Sequence, residues 1–249
     1  MILIDNLSKH FGKLAAVDRL NLEIPGGEIF GFLGPNGAGK TTTIKVVMGI
    51  LRATSGRVVL GDYDVEKEPE KAKAITGYIP DHPFIYEKLT GGEFLKFVAA
   101  LHGVNTTAVE ERIVELLKHF DLSDWRDELV EGYSHGMKQR LVLCAALIHR
   151  PKILVVDEPM VGIDPRGTRK LKDLFLALGK TGVTVFFSTH SVGVAEELCQ
   201  RVGIIHKGKL IACGTMAELR QLAKVEEGNL ETAFLELTRD GNSGLSNED

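Results

Sequence analysis

The sequence predicts an α/β fold built around a parallel sheet, and three observations lead to this prediction. A glycine-rich turn joins a short apolar segment, residues 29–33, to a segment typical of a helix, residues 42–48. Two continuous apolar runs, residues 153–156 and 183–187, are typical of strands that a parallel sheet buries on both faces. Between these parts, residues 85–150 carry apolar side chains at helical spacing.

The first part of the chain, residues 1–65, is predicted to be rich in strands. Residues 20–24 alternate apolar and polar side chains and stop at a Pro-Gly-Gly turn. Residues 57–60 form a second short apolar run, which stops at Gly61.

Two apolar stripes predict helices within residues 85–150. One stripe consists of Val109, Ile113, Leu116, Leu117 and Phe120, and the other of Phe94, Phe97, Val98 and Leu101. We expect both stripes to face the hydrophobic core.

Residues 151–215 return to alternating strands and helices. The apolar segments 202–205 and 210–212 flank His-Lys-Gly-Lys at 206–209, which predicts a hairpin. The tail from Gly241 onward is polar, and we expect it to be disordered.

The composition excludes several classes of protein. Lysine and arginine number 30 against 34 aspartate and glutamate, so the net charge of −4 offers no general attraction for nucleic acid. The three cysteines lie far apart and form no C-x-x-C pair, which is typical of a reducing compartment. No apolar run reaches about 18 residues, and the N-terminus lacks the basic and apolar segments of a secretory signal. We therefore expect a soluble, cytoplasmic protein.

Residues 34–41 fit the phosphate-binding pattern G-x-x-x-x-G-K-[ST]. The eight residues are Gly34, Pro35, Asn36, Gly37, Ala38, Gly39, Lys40 and Thr41. A turn of this kind points backbone N–H groups and a helix N-terminus at bound phosphate. Lys40 is predicted to reach the β- and γ-phosphates, and Thr41 to place its hydroxyl on Mg²⁺. The alternative is a glycine turn that only joins a strand to a helix.

A second predicted strand, residues 153–156, ends in two carboxylates, Asp157 and Glu158. In an enzyme with a phosphate loop, an aspartate at such a strand end supports Mg²⁺. Glu158 is then the candidate to orient the attacking water or to accept its proton. The alternative is an acidic strand end that faces solvent.

The apolar run that begins at Val183 leads to His190. In this topology the carboxyl ends of the strands lie beside the phosphate loop, so His190 could hydrogen-bond the γ-phosphate or the attacking water. The alternative is a histidine with a purely structural role.

These motifs occur together with others in a fixed order. After the phosphate loop come Tyr133-Ser134-His135-Gly136-Met137-Lys138-Gln139-Arg140, the run from Ile153 to Pro159, Gly162-Ile163-Asp164-Pro165 and Ser188-Thr189-His190. Over nearly its whole length the chain resembles the ATP-binding subunit of ATP-binding-cassette (ABC) transporters. Residues 133–137 and 158–162 are most similar to the ABC-2 exporter branch, which includes drug, polysaccharide and sodium exporters.

The resemblance implies a P-loop NTPase cassette with a RecA-like α/β core, an antiparallel β subdomain and an inserted helical subdomain. It treats the chain as one ABC domain with four parts. Residues 1–84 form the nucleotide-binding core with the antiparallel subdomain and the phosphate loop, and residues 85–150 form the helical subdomain with the signature motif. Residues 151–222 continue the core and contain the strand that ends in Asp157 and Glu158, together with Asp164 and His190, and residues 223–249 form a C-terminal helix and a disordered tail.

The resemblance also implies that two chains close head to tail around two ATP molecules. The nucleotide contacts of one chain would be Phe11, stacked on adenine, Val17, residues 34–41 and Thr42. Ser134 and Gly136 of the facing chain would touch the γ-phosphate, and Asp164 would link the two sites at the seam. Lys40, Thr41, Asp157, Glu158 and His190 would complete each site.

The partners implied by the resemblance are a separate transmembrane permease, which selects the cargo, and a second nucleotide-binding subunit, identical or different. The ATPase would use ATP and Mg²⁺, would lie on the cytoplasmic face of the cell membrane and would bind no nucleic acid.

Two positions depart from the family pattern. The signature Leu-Ser-Gly-Gly-Gln reads Tyr-Ser-His-Gly-Met here, and His135 lacks the conformational freedom of glycine, so we expect an ordinary backbone conformation there. Asp81 stands where the family usually has glutamine. Its carboxylate can accept hydrogen bonds and approach Mg²⁺ or its waters in catalysis, but it cannot donate an amide N–H.

Two short segments allow more than one interpretation. The string Gly-Gly-Glu-Phe at residues 91–94 spells the signature of cyclic-dinucleotide synthases, and we interpret it as chance because it lies in a helical segment of a cassette ATPase. Phe84, Ile85 and Tyr86 could form a groove wall for a short helix of a permease, or they could pack into the helical core.

The main alternative function is a soluble cassette ATPase that acts on ribosomes or DNA. Such proteins usually add a second cassette, a long coiled coil or a basic extension, and the sequence predicts none of these. A GTP-dependent switch is a further alternative, but the sequence lacks the Asn-Lys-x-Asp motif that reads guanine.

Overall fold

The computed structural model describes residues 1–82, 84–104, 107–160, 165–223 and 230–240. Its strands are β1 (Ile2–Phe11), β2 (Leu14–Ile24), β3 (Ile29–Leu33), β4 (Ser55–Leu60), β5 (Tyr63–Asp64), β6 (Thr76–Ile79), β7 (Ile153–Asp157), β8 (Thr184–Thr189), β9 (Arg201–His206) and β10 (Lys209–Gly214). Its α-helices are α1 (Lys40–Val47), α2 (Pro69–Ala74), α3 (Gly91–Leu101), α4 (Thr107–His119), α5 (His135–Leu147), α6 (Pro165–Lys180), α7 (Val192–Leu198), α8 (Met216–Leu222) and α9 (Leu230–Asp240). Two single-turn 3₁₀ helices, Ser123–Trp125 and Val130–Gly132, lie between α4 and α5.

The described strands form two sheets. A four-stranded antiparallel sheet has the order β2-β1-β4-β5, and a six-stranded sheet has the order β10-β9-β3-β8-β7-β6. In the larger sheet β9, β3, β8, β7 and β6 run parallel, and β10 pairs antiparallel to β9. The prediction of an α/β core with a separate antiparallel sheet is confirmed.

The central strands of the larger sheet are buried along their whole length. Every residue of β3, β7 and β8 is buried, which explains why these segments read as continuous apolar runs. One face of the sheet packs Phe30 and Phe186 against α1 and the antiparallel sheet. The other face packs Phe187 against α6 and the helical part of the chain. The sheet therefore has a hydrophobic layer on each side, as a parallel sheet requires.

The order of the strands brings the functional segments together. Strand β3 lies between β8 and β9, so the phosphate loop that follows β3 begins beside the end of β8. At this edge Gly34 N–H donates to the carbonyl of Thr189 at 3.3 Å. Asp157, at the end of β7, lies opposite Ser188 in β8. The carboxyl ends of three neighbouring strands therefore meet at one edge of the sheet.

The helical part of the chain is formed by α3, α4 and α5. The predicted stripe on α4 is confirmed, because Val109, Ile113, Leu116, Leu117 and Phe120 are all buried. The predicted stripe on α3 is only partly confirmed. Phe94 is buried and Val98 packs against the core, whereas Phe97 and Leu101 are exposed. The helix turns Phe94, Leu95 and Ala99 toward the core instead, so its buried face is rotated from the predicted one.

The predicted hairpin is confirmed. Strands β9 and β10 pair antiparallel, and the turn between them is formed by Lys207 and Gly208, whose φ angles are 47° and 79°. Two positive φ angles in a two-residue turn match the right-handed twist of the strands. The polar tail from Gly241 onward lies outside the described residues. In the part of the chain that the structure describes, no helix is both long enough and apolar enough to cross a membrane.

The Gly-Gly-Glu-Phe string, residues 91–94, is explained by local structure. The Thr90 hydroxyl accepts a hydrogen bond from Glu93 N–H, and the Glu93 carboxylate accepts one from Thr90 N–H, which forms a capping box at the start of α3. A Cβ atom at Gly91 would overlap the hydroxyl of Tyr133, and Phe94 is buried in the core. The string therefore serves the start of a helix, which agrees with our interpretation of it as chance.

Candidate active site

The glycines of the phosphate loop allow the chain to pass close to its neighbours. A Cβ atom at Gly34 would overlap the carbonyl oxygen of Ile205, and one at Gly39 would overlap that of Ala16. Gly37 and Gly39 also have φ angles of 78° and 108°, which side chains disfavour. Helix α1 begins directly after Gly39, so its free N–H groups lie at the end of the loop. The loop has the geometry of a phosphate cradle.

Lys40 is folded back over its own loop. Its side chain is only 5% exposed, and Nζ donates to the carbonyl oxygens of Gly34 at 2.7 Å and Pro35 at 3.2 Å. The same Nζ lies 3.2 Å from Glu158 Oε1. A buried ammonium group needs such acceptors, because charge without partners is costly inside a protein. The loop thereby holds a positive charge where phosphate is predicted to bind.

Asp157 is a buried carboxylate at the end of β7. Its Oδ1 accepts a hydrogen bond from the Ser188 hydroxyl at 2.6 Å. Its Oδ2 is buried and meets no hydrogen-bond partner of ordinary geometry among the described residues. Burial raises the pKa of Asp157, and the side chains of Ser188 and Thr41 act in the opposite direction. A carboxylate oxygen with spare capacity beside the Thr41 hydroxyl offers the hard oxygen ligands that Mg²⁺ prefers.

Glu158 follows with its backbone in the left-handed region, at a φ of 50°. Its N–H donates to the Ser188 hydroxyl at 3.0 Å, which supports this uncommon conformation. The turn directs the carboxylate between two nitrogen atoms, Lys40 Nζ at 3.2 Å and His190 Nδ1 at 2.9 Å. Backbone strain of this kind clusters at functional sites.

These groups surround an open cavity of about 640 Å³. The cavity is lined by Phe11, Leu14, Ala15, Ala16, Asn36, Gly37, Gly39, Lys40, Thr41, Thr42, Asp81, Glu158, His190, Lys207 and Gly208. Most of the predicted nucleotide and catalytic residues therefore lie around one space. Phe11 lies at the edge of the cavity, and its side chain is about half exposed, so its ring is accessible to a flat ligand.

Three predicted loop residues lie behind this lining. Gly34 and Ala38 are buried and Pro35 is half-buried, so they shape the loop from below. Val17 was predicted to contact nucleotide, but it is fully buried in the core under β2. Strand alternation explains the difference, because neighbouring residues of a strand point to opposite faces. Ala16, one position earlier, lines the cavity in its stead.

Asp81 reaches the cavity from the loop that follows β6. Its Oδ2 lies 3.4 Å from Nδ1 of His82. The negative charge of Asp81 is also close enough to Asp157 to contribute to the raised pKa of that residue. The two carboxylates therefore face a common region, in which a cation would relieve their repulsion.

The signature residues lie at the start of α5 and are not among the described residues that line the cavity. The Ser134 hydroxyl accepts a hydrogen bond from Met137 N–H at 3.3 Å and caps the helix. His135 is the first helical residue, and its φ is not in the left-handed region, as its side chain requires. A Cβ atom at Gly136 would meet nothing within 4 Å. Asp164 lies outside the described residues.

One contributor to the cavity, the β9–β10 turn, has no local signal in the sequence. Gly208 N–H donates to the carbonyl of Ala38 at 2.9 Å, and Gly208 carbonyl accepts from Asp18 N–H at 2.8 Å. The turn thus ties the phosphate loop to β2, and Lys207 joins the lining. The hairpin itself was predicted, but its contact with a loop about 170 residues earlier depends on strand order.

A family model described as ABC transporter matches residues 17–161, which is more than half of the chain. The chain belongs to the ABC transporter family. The linearmycin resistance ATP-binding protein LnrL of Bacillus subtilis (strain 168) is 38% identical over 219 residues, which cover 88% of this chain and 70% of LnrL. The probable multidrug ABC transporter ATP-binding protein YbhF of Escherichia coli (strain K12) is 38% identical over 245 residues, 97% of this chain and 42% of YbhF.

Solved structures agree with this assignment. One described as the ATP binding subunit of an ABC transporter has a TM-score of 0.90 and 29% identity, and the match covers 96% of this chain and 99% of that chain. A dimeric post-hydrolysis state of the ATP-binding cassette MJ0796, bound to ADP and Pi, has a TM-score of 0.79 at 23% identity and shares the fold. That match covers 86% of this chain and 98% of MJ0796. As an ABC family member, the chain is an ATP-binding and ATP-hydrolysing subunit of a transporter.

Proposed function

We propose that this ABC cassette hydrolyses Mg-ATP between two chains and that dimer closure and opening drive a separate permease of the exporter type. The observation that carries the proposal is the position of the Glu158 carboxylate, between Lys40 Nζ at 3.2 Å and His190 Nδ1 at 2.9 Å in the wall of the cavity. A carboxylate held by a phosphate-loop cation and an imidazole fits a residue that handles the proton of attacking water.

The nucleotide would lie along the cavity with its base toward Phe11 and its phosphates on the loop. The exposed ring of Phe11 offers a stacking surface for adenine. The backbone N–H groups of residues 36–37 and 39–41, at the N-terminus of α1, offer donors to the β- and γ-phosphates. Thr42 also lines the cavity, next to Thr41.

The residues around Asp157 fit a Mg²⁺ ion that arrives with ATP. Thr41 and Asp157 would hold it directly, and Asp81 would hold it or its waters. Thr41 and Asp81 line the cavity, and the buried Asp157 lies beside the Thr41 side chain, so the three supply oxygen ligands close together. The ion would neutralise charge on the β- and γ-phosphate oxygens. Among the described residues, no group of three or more acidic, histidine or cysteine side chains is suited to hold a metal by itself.

Hydrolysis would use two groups at the far end of the phosphates. Glu158 accepts a proton from water while the water oxygen bonds to the γ-phosphorus and the bond from that phosphorus to the bridging oxygen breaks, which gives ADP and phosphate. His190 Nδ1 donates to Glu158 Oε2, which leaves Nε2 for the γ-phosphate or the water. Lys40 would exchange its contact with Glu158 for the phosphates, and this exchange releases the carboxylate for its task.

The second half of each site would come from a facing chain. Gly136 is compatible with this assignment, because a Cβ atom there would meet nothing within 4 Å. The absence of a side chain leaves room for a facing chain to approach the backbone closely. Ser134 presents its hydroxyl at the N-terminus of α5, where anions are favoured. Asp164 keeps its predicted role at the seam between the sites.

The permease would bind a surface beside α3. A groove of about 330 Å³ lies between the large sheet and the helical part, and its lining includes Tyr78, Phe84 and Val98. Phe84 is 81% exposed and Tyr86 is 49% exposed, whereas Ile85 packs against the core. Exposed aromatic side chains around a groove are typical of a binding site for an apolar helix. Of the three residues predicted as a groove wall, Phe84 lines the groove, and the exposed Tyr86 ring packs edge-on against the Phe84 ring, with centroids 5.5 Å apart.

The direction of transport is inferred from the relatives. LnrL is a linearmycin resistance protein, YbhF is described as a probable multidrug transporter, and DrrA3 of Streptomyces coeruleorubidus is a daunorubicin resistance protein. These functions are consistent with export and with a cassette bound to the cytoplasmic face of the membrane. They do not favour the alternative of a ribosome- or DNA-directed ATPase.

A mixing experiment tests the shared site. Lys40→Ala removes the cation of the loop, and Ser134→Arg blocks the signature, so each variant alone should be inactive as a homodimer. A mixed dimer contains one intact site, and its ATPase activity should return to about half of the wild-type value per dimer if the sites work independently. The control is each variant alone, assayed at the total protein concentration of the mixture.

Two results would contradict the shared site. The first is the absence of recovery when mixed dimers have been demonstrated and single-site turnover is known to suffice. The second is wild-type hydrolysis per chain that stays constant on dilution below the dimerisation constant.

A further inference from the structure

Two segments near the permease groove pair through their backbones. Residues 87–92, which follow the groove wall, pair with residues 126–131, which lead into the signature motif. The hydrogen bonds run from Glu131 N–H to Glu87 carbonyl at 3.0 Å, from Val130 N–H to Leu89 carbonyl at 2.9 Å, from Gly91 N–H to Glu128 carbonyl at 3.2 Å and from Gly92 N–H to Arg126 carbonyl at 2.8 Å. A continuous ladder therefore joins the groove to the segment before Ser134. We refer to these two segments as the paired linkers.

Tyr133 closes the paired linkers at the end nearest the signature serine. Its side chain is buried, and its hydroxyl donates to the backbone carbonyl of Trp125. The Tyr133 ring also packs edge-on against the Trp125 ring, with centroids 5.6 Å apart. Burial raises the pKa of Tyr133 to about 12, so the hydroxyl keeps its proton and acts as a donor.

Gly91 provides the space that the Tyr133 hydroxyl occupies. A Cβ atom at Gly91 would overlap this hydroxyl and would approach Cζ of the Tyr133 ring to 3.3 Å. Gly91 is the first residue of α3, and its N–H is fixed by Glu128, so it cannot easily move away. The family signature usually begins with leucine, which has no hydroxyl to seat here. Gly91 and Tyr133 therefore form a matched pair in this chain.

A charge pair reinforces the same connection from outside. Glu87, the residue after Tyr86, forms an ion pair with Lys138 on α5. This contact holds the pKa of Glu87 below its ordinary value through its hydrogen bond to Lys138. Glu87 is more than half exposed, so solvent screens the pair and its contribution is small. The buried Tyr133 contact is the part that fixes position.

We infer that Tyr133 is a positioning residue: seated on Gly91, it sets where Ser134 lies relative to the groove wall and α3. This inference rests on the proposed shared site, because Ser134 would act on ATP held by the facing chain. Displacement of Tyr133 moves the N-terminus of α5 and weakens closure of the dimer. The phosphate loop lies on a different element, so ATP binding to the single chain is unaffected.

The test measures two equilibria in a Glu158→Gln background, in which ATP persists. Tyr133→Phe should weaken ATP-dependent dimerisation about threefold to tenfold, because the hydrogen bond to Trp125 is lost. Gly91→Ala should weaken it at least as strongly, because the new methyl group displaces the hydroxyl. The double variant should dimerise about as well as Tyr133→Phe alone, because removal of the hydroxyl leaves room for the methyl group. Sedimentation measures the dimer, and a fluorescent ATP analogue measures binding by dilute monomer, which should stay within about twofold.

Gly132→Ala is the matched control. It adds a methyl group one residue from Tyr133, but a Cβ atom at Gly132 meets nothing within 4 Å and its backbone angle suits alanine. Dimerisation of this variant should equal that of the parent.

Three results would overturn the inference, and they can be told apart. Unchanged dimerisation by Tyr133→Phe would show that the hydroxyl positions nothing, even if Gly91→Ala fails to fold. A parallel loss of ATP binding by the monomer would show a general structural role for Tyr133. An additive double variant would show that Gly91 and Tyr133 act separately. Failure of the Glu158→Gln parent to dimerise with ATP would instead refute the proposed shared site before Tyr133 is altered.

Discussion

Glu158→Gln isolates the proton-accepting role of one carboxylate. Glutamine keeps the size of the side chain and one carbonyl oxygen, but its amide does not accept a proton at neutral pH. Lys40 keeps its hydrogen bonds to the carbonyls of Gly34 at 2.7 Å and Pro35 at 3.2 Å, so the ammonium group is not left without acceptors. We therefore expect the variant to fold and to retain the cavity.

The size of the effect follows from the contacts of the carboxylate. Loss of a positioned general base commonly costs about 10²–10⁴-fold in turnover. This corresponds to about 2.7–5.5 kcal/mol of activation free energy. Affinity for ATP should be equal or higher, because a neutral amide at position 158 competes less strongly with phosphate for Lys40 Nζ than the carboxylate does at 3.2 Å. ATP-bound chains should consequently accumulate as closed dimers.

Phosphate release at saturating Mg-ATP measures turnover, and calorimetry measures nucleotide affinity. Glu28→Gln is the matched control, because Glu28 is also a mostly buried carboxylate beside a cation, Arg201 at 3.5 Å, and lies outside the cavity lining. Its turnover should stay within about twofold of the wild type. Hydrolysis by Glu158→Gln within about tenfold of the wild type would refute the role of Glu158 as general base.

Two further predictions follow from buried charge and from exposed aromatic residues. Asp157→Asn should stabilise the nucleotide-free chain, because burial raises the pKa of Asp157 and an amide carries no charge to bury. Each kcal/mol of unfolding free energy gained should raise the thermal midpoint by roughly 2–4 °C. The same change should abolish Mg²⁺-dependent hydrolysis, because it removes a charged ligand of the ion. The difference in thermal midpoint between Asp157→Asn and the wild type should shrink as pH falls through the raised pKa of Asp157, because the wild-type carboxyl is then neutral too. A variant whose midpoint at pH 7 is no higher than that of the wild type would contradict this prediction. Tyr86→Asp should abolish co-purification with the permease and leave the ATPase activity of the isolated subunit within about twofold, with Tyr86→Phe as control. Joint loss of folding and ATPase activity would show that Tyr86 belongs to the core.

The sequence predicted the parts of the site that depend on local pattern. The phosphate loop, the carboxylates Asp157 and Glu158, and His190 were predicted because each follows an apolar run that is typical of a buried strand. Their proximity followed from the rule that parallel strands end at one edge of the sheet. The family resemblance supplied Phe11, whose position at the edge of the cavity agrees with its predicted role.

The features that the sequence did not predict depend on the direction in which a side chain points and on contacts between distant parts of the chain. Val17 and Ala16 differ by one position, and strand alternation decides which of them meets the cavity. Phe97 has the spacing of a core residue but lies on the exposed side of α3, because the apolar residues of that helix extend around more than one face. Gly208 reaches the phosphate loop only through the order of the strands. Sequence pattern alone does not contain that information.

The support of the phosphate loop by Gly208 has a consequence for synthesis of the chain. Strand β3 pairs only with β8 and β9 within the described sheets, and the loop after it is braced by Ile205 and Gly208. When the ribosome has made the loop, its supports do not yet exist. At about 5–20 residues per second, they follow roughly 10–35 seconds later. We therefore expect the nascent chain to bind ATP only after the β9–β10 hairpin has emerged, so that nucleotide stabilises the core late in synthesis.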